Sequence, residues 1–174
     1  MHKTILLISV LFCFTIGLKA QNYAESISVN FFLLDECKIS INMTTEIKTV
    51  FNTYQSERFS FTAYFPNFAS NEENIRSFKK DYQIPFDCVS DYEKKRSKLL
   101  GATVAPEVVV YDEVNKEILY RGRIDNSYFE VGNRRRVITQ RDLNEVLKNI
   151  LANHKIENKE TEAIGCFINY KEVE

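Results

Sequence analysis

Cysteine is the residue in this chain best suited to covalent chemistry, and there are four: Cys13, Cys37, Cys88 and Cys166. The thiolate attacks disulfides and is the form that oxidants find, so local charge and position decide which cysteine reacts. Cys37 follows Asp35 and Glu36, where an apolar run gives way to helical spacing at Ile39, Met43, Ile47, Val50 and Phe51. A thiol in the first turn of a helix meets the positive end of the macrodipole and unpaired N–H groups, and both favour thiolate. Lys38 adds to that field, whereas Asp35 and Glu36 oppose it. An inert cysteine buried at the strand end is the alternative. A single nucleophilic cysteine can form a mixed disulfide, a sulfenic acid, or a bond to a distant cysteine.

Cys166 is the candidate for that distant partner. It sits beside Gly165 among apolar Ile164, Phe167 and Ile168, after a polar stretch at 155–162. About ten flexible residues span roughly 20 Å by random-coil scaling, which is enough to bring it from the last helix to Cys37. A docked tail whose cysteine stays free is the other reading. Cys88, in Pro85-Phe86-Asp87-Cys88-Val89, reads as a small core residue.

Other chemistries find less support. His154 is the only histidine beyond position 20, and no Cys-x-x-Cys or His-x-x-x-His pair occurs. A Cu(I) site built from Cys37, Cys166 and His154 is chemically allowed. Thiol chemistry requires no organic cofactor, and the expectation is none. Asn42-Met43-Thr44 fits a glycosylation pattern but falls within a predicted helix. Arg121, Arg123 and Arg134 to Arg136 cluster near Asp125 and Tyr128, as an anion or partner surface or as a solvated edge ion-paired to Asp125 and Glu130. With 23 basic and 24 acidic residues the net charge is -1, so no global field draws the chain to nucleic acid.

The elements that would position these residues follow from periodicity. At 174 residues, 44% hydrophobic and 13% aromatic, the chain can form one packed domain. Residues 26–34 alternate and then run apolar, as in a buried central strand. A helix is predicted over 39–51, a strand at 59–65 and a charged helix at 71–82. A short extended piece at 84–89 and a basic helix at 91–100 come next. Strands at 108–111 and 117–124 read as a hairpin around the turn at 112–116. Residues 125–138 read as irregular. Thr139 is expected to cap a last helix through 151, with Leu143, Val146, Leu147 and Ile150 on one face. The sum is a mixed α/β sheet with helices on both faces.

Residues 1–20 read as a secretory signal: Lys3, an apolar run at 5–18, and Ala20 before Gln21. Its cleavage leaves a domain at 21–152, a tail at 153–174, and three cysteines bound for an exported, periplasmic or secreted setting, with no membrane association afterwards.

Five segments in order carry a resemblance: FFLLDECKIS at 31–40, GATVAPE at 101–107, YRGRIDN at 120–126, TQRDL at 139–143 and GCFI at 165–168. The chain resembles exported bacterial redoxin-like proteins of the AhpC/TSA and thioredoxin-like group. That resemblance implies a thioredoxin-like fold and disulfide exchange at Cys37 with a protein or small-molecule thiol or disulfide. It also implies a cis bond before Pro106, with the preceding backbone beside the reactive sulfur and Pro106 in the site. Ser40 stands where thioredoxins carry their second cysteine. Leu34 and Asn30 stand where peroxiredoxins carry Thr and Pro, so peroxidase chemistry is not implied. A redox-inactive binding module of the same fold is the alternative function.

Overall fold

The computed structural model describes residues 23–55 and 58–170. The expected signal segment lies outside them, and among the described residues no helix is long and apolar enough to cross a membrane. In chain order the elements are β1 (Ile27–Phe32), α1 (Lys38–Tyr54), β2 (Phe59–Phe65), α2 (Glu72–Asp81), β3 (Asp87–Ser90), α3 (Lys95–Leu100) and β4 (Val104–Ala105). They continue with β5 (Glu107–Asp112), β6 (Glu117–Gly122), β7 (Tyr128–Glu130), β8 (Asn133–Arg134), α4 (Asp142–Leu151) and β9 (Cys166–Phe167).

The main sheet runs β3-β2-β1-β5-β6. β1 pairs parallel with β2, and β2 with β3, so α1 and α2 supply the crossovers that parallel pairing requires. β5 returns antiparallel to β1, and β6 antiparallel to β5. Asp112 builds the hairpin turn, its carboxylate accepting the N–H groups of Val114 at 2.9 Å and Asn115 at 2.8 Å.

β1 is buried along its whole length, and its two faces differ. Ile27, Val29 and Phe31 join Val108 and Val110 in the larger core, which Ile47, Phe78 and Leu147 of the helices cover. Phe32, Val109 and Tyr111 face the other way, under Leu100 of α3 and Ile168 of the tail. Ser28 and Asn30 on that second face are polar but satisfied. Arg96 donates to the Asn30 Oδ1 and the Ser28 Oγ, each at 3.0 Å, and ion-pairs with Glu113.

Two expectations need correction. Thr139 does not cap α4, which starts at Asp142 after Arg141 without a side-chain cap. Thr139 instead accepts from the Asn126 amide at 2.8 Å and returns its N–H to Asn126 at 3.1 Å, a local pairing that holds the loop before the helix. The stretch at 125–138 is not wholly irregular, since it contains the small β7–β8 hairpin. The apolar face expected for α4 is present, with Leu143, Val146, Leu147 and Ile150 all buried.

Candidate functional site

The end of β1 hands the chain to α1 through a turn closed by the Cys37 N–H on the Leu34 carbonyl at 3.1 Å. Cys37 is the residue that caps α1: its backbone is extended and its carbonyl accepts the Ile41 N–H at 2.9 Å. Its sulfur therefore sits at the positive end of a 17-residue helix. Ser40 is fully buried three positions on, with its oxygen accepting the Leu34 N–H at 3.2 Å. Position 40 therefore contributes a hydroxyl that locks the turn holding Cys37, not a second sulfur.

Across from α1 lies the backbone of β4. The Ala105–Pro106 bond is cis, as the resemblance implies. The Cys37 sulfur stands 3.6 Å from the Ala105 carbonyl oxygen, to which its thiol donates.

The tail completes the site. The N–H of Arg121 donates to the Lys159 carbonyl at 2.9 Å, and the N–H of Thr161 to the Arg121 carbonyl at 3.0 Å, so the tail runs beside β6. The Thr161 hydroxyl meets the Tyr120 hydroxyl at 2.5 Å and accepts the Arg123 N–H at 3.1 Å. The chain then turns to β4, where β9 pairs antiparallel with it: Ala105 opposes Cys166, and Val104 opposes Phe167. Ile168 follows, buried, with its N–H on the Thr103 carbonyl at 2.9 Å. The flexible linker expected at 155–162 is thus a hydrogen-bonded strap.

This path brings the Cys166 sulfur to 3.1 Å from that of Cys37. A disulfide needs about 2.05 Å, so the two sulfurs are roughly 1 Å from bonding distance. Their surroundings differ sharply. Cys37 is 6% exposed, whereas Cys166 is open to solvent. Burial by itself raises the Cys37 thiol. The N–H groups of Ser40 and Ile39, the Ser40 hydroxyl and the Cys166 thiol all favour its anion, and the balance falls below the ordinary cysteine value. Cys166 is pushed up to about 11, by burial first and then by its hydrogen bond to, and the charge of, the neighbouring sulfur. The two sulfurs share a hydrogen bond in which either can donate, and Cys37 is the more readily ionised of the pair.

Gly165 was noted in the sequence only as the neighbour of Cys166, and its own role was missed. A Cβ there would stand 2.2 Å from the Ala105 oxygen and 2.6 Å from its carbonyl carbon, so only glycine lets the tail lie this close. A glycine next to a short apolar strand is the available signal for such a backbone approach. Glu107, directly after Pro106, was also missed: it is buried, and its carboxylate accepts the Thr103 N–H at 2.7 Å, fixing the loop before β4.

The remaining sequence candidates lie elsewhere. Cys88 sits half-buried on β3 against the larger core, its thiol pushed up to about 11 by burial. No three His, Cys, Asp or Glu side chains converge as metal ligands among the described residues, so Cys37, Cys166 and His154 do not form the Cu(I) trio. Of the five clustered arginines, Arg121 and Arg123 are ion-paired, but not as expected. Arg121 bridges to Glu160, and Arg123 to Asp142 at 2.8 Å, in place of Asp125 and Glu130. Asp125 instead accepts the Ser127 N–H at 2.8 Å. Asn42 lies on α1 and donates to the Tyr128 hydroxyl at 2.6 Å.

A mixed sheet with helices on both faces, a cysteine heading the first helix and a cis proline opposite it constitute a thioredoxin-like fold. Solved structures carry the same architecture. An uncharacterized conserved protein from Geobacillus kaustophilus is 22% identical with a TM-score of 0.75, over 86% of this chain and 80% of that one. A hypothetical protein, SMc02350, from Sinorhizobium meliloti 1021 is 20% identical with a TM-score of 0.73, over 84% and 81%. A secreted Mycobacterium tuberculosis disulfide oxidoreductase homologous to E. coli DsbE is 14% identical with a TM-score of 0.52, over 74% and 83%. No protein-family model and no curated protein matches the chain.

Proposed function

We propose that the protein is an exported thiol–disulfide oxidoreductase or redox sensor in which Cys37 is the nucleophile and Cys166 its bridging partner. The observation that carries this reading is the 3.1 Å approach of the two sulfurs at the head of α1. In the reductive half-cycle the Cys37 thiolate attacks one sulfur of a substrate disulfide, and the other substrate sulfur leaves as a thiolate and takes up a proton. Cys166 then loses its proton and attacks the Cys37 sulfur. That closes the Cys37–Cys166 bridge and expels the second substrate thiolate. As a sensor, Cys37 is oxidised by a peroxide to sulfenic acid, and condensation with Cys166 releases water and forms the same bridge. Pro106 and the Ala105 carbonyl form the wall that an extended substrate meets. No organic cofactor enters either route.

Two observations support export: the basic, apolar and small-residue order of 1–20, and the description of the Mycobacterium tuberculosis neighbour as secreted. The test is thiol mapping of protein taken from its native compartment and alkylated without reductant, alongside a Cys37→Ser variant. The expected result is a reversible Cys37–Cys166 bridge in the wild type and disulfide exchange at background in the variant. Three unmodified thiols that also resist an added disulfide would overturn the reading. They would favour a partner-binding module of the same fold.

A further inference from the structure

The tail occupies the backbone edge at Val104 and Ala105 that an extended substrate would otherwise use, and it does so with its own cysteine-bearing strand. While β9 is docked, Cys37 is shut in: 6% exposed, beneath Cys166 and against the Ala105 carbonyl. Cys166 faces outward. A cleft of about 740 Å³ opens along Gly165 and Phe167, with Val104, Phe129 and Val131 as its apolar wall. Phe167 is 85% exposed at its rim.

We propose that, once bridged, the protein exchanges its disulfide with the outside at Cys166, so that the tail cysteine carries the partner and Cys37 is the leaving group. This rests on the Cys37–Cys166 bridge of the preceding reading and adds which sulfur is attacked. An external thiolate attacks the Cys166 sulfur, forms a mixed disulfide there, and breaks the sulfur–sulfur bond; the electron pair departs on Cys37 as thiolate. A second thiol, on the same partner or another molecule, loses its proton and attacks the partner sulfur. It releases the oxidised partner, and Cys166 leaves as thiolate and is protonated. In sum, the bridge and two thiols become one external disulfide and two cysteines.

Two physical conditions favour this direction of attack. Exchange proceeds by in-line approach to an accessible sulfur, and only Cys166 offers one with the tail in place. It also proceeds faster when the departing sulfur is the better-stabilised anion, and the Cys37 anion is the one favoured by the N–H groups of the helix start and the Ser40 hydroxyl. The cleft gives the chain bearing the attacking thiol a surface to lie on beside Gly165.

The experiment uses the mature chain with Cys88→Ser, oxidised to the intramolecular bridge and verified by peptide mapping. Excess reduced glutathione is added, the reaction is quenched with acid at short times, free thiols are alkylated, and the glutathionylated cysteine is identified by mass spectrometry. Glutathione on Cys166 is expected in at least roughly tenfold excess over Cys37 at the earliest times, because access and leaving group both select that sulfur. Equal distribution, or predominance on Cys37, overturns the proposal and leaves the bridge reading standing. Failure of the bridge to form overturns both. A Gly165→Ala chain run in parallel should lose the tenfold preference, since its tail cannot seat against Ala105.

Discussion

The sulfur of Cys166 lies 3.1 Å from that of Cys37 although 129 positions separate them in the chain. Thioredoxin-like folds that keep both cysteines in one helical turn hold them together by covalent proximity. Here a two-residue strand, a glycine and a buried isoleucine do that work, so the approach of the two sulfurs depends on tertiary docking. Its reactivity should change with anything that lifts the tail.

Gly165→Ala tests that dependence. The added methyl would fall 2.2 Å from the Ala105 oxygen, so β9 has to leave its place. The sheet and helices should persist, with a loss of roughly 1–3 kcal/mol as Ile168 gives up part of its burial. Alkylation of Cys37 in the reduced protein should accelerate several-fold as its cover departs. Unchanged alkylation with an unchanged melting temperature would count against the docked tail.

Ser40→Ala addresses the thiolate. The hydroxyl is one of the groups lowering Cys37, so its loss raises the pH at which Cys37 ionises. The Cys37 alkylation profile should move toward alkaline pH, and the half-buried Leu34 N–H left without its acceptor should cost about 1 kcal/mol. The sign for the wild type follows from the lowered value. Ionisation of Cys37 favours the reduced fold above the ordinary thiol range, and that contribution fades as pH falls through the folded-state value. A reduced wild type whose advantage over Ser40→Ala grows toward acid pH would contradict this assignment.

Arg96→Met separates stability from chemistry. Arg96 serves Asn30, Ser28 and Glu113 on the face of the sheet away from the larger core, and its guanidinium lies 5.4 Å from the Tyr111 ring. Its removal should cost about 2–3 kcal/mol by denaturant unfolding, the pair being only partly buried. Burial raises the Glu113 carboxyl, but the Ser28 hydroxyl and Arg96 more than offset this, and it ends below its usual range. The Arg96 contribution is therefore present above the ordinary glutamate range and diminishes as pH falls through the folded-state value. The difference between variant and wild type should narrow in acid, while the Cys37 alkylation rate at neutral pH stays the same.

Cys88→Ser should leave exchange untouched. Burial keeps that thiol protonated at neutral pH, so it is a poor nucleophile. Steady-state disulfide exchange within twofold of wild type is the expected readout; a larger loss would give Cys88 a part in the chemistry.

The helix starting after Cys37, the strand at Phe59–Phe65 and the apolar stripe of α4 were legible because each buries side chains at its own period. The cis bond at Pro106 came from the resemblance alone, since no side-chain pattern encodes it. The strap was not legible. Lys159, Glu160 and Thr161 look like linker because their polar side chains show no burial period, and the backbone and side-chain bonds that hold them to β6 join residues far apart in sequence. The arginine partners failed for a related reason: Arg121 pairs with a residue 39 positions away, and nearest neighbours in sequence were the wrong place to look. Ser40 shows the opposite case, where the local sequence displayed the residue and only the fold revealed its bond to Leu34.

The parallel bridge between Arg121 and Glu160 has a further consequence for the edge of the main sheet. β6 is the outermost strand of the main sheet on its side, and bare outer strands recruit one another into aggregates. Residues 159–161 cap that strand, and Gly122 lets Thr161 come so near that a Cβ would collide with it at 2.3 Å. A tail released at Cys166 can therefore peel back only as far as Thr161 before the sheet becomes sticky. Truncation at the strap should raise self-association, read by light scattering, above that of a chain truncated after it.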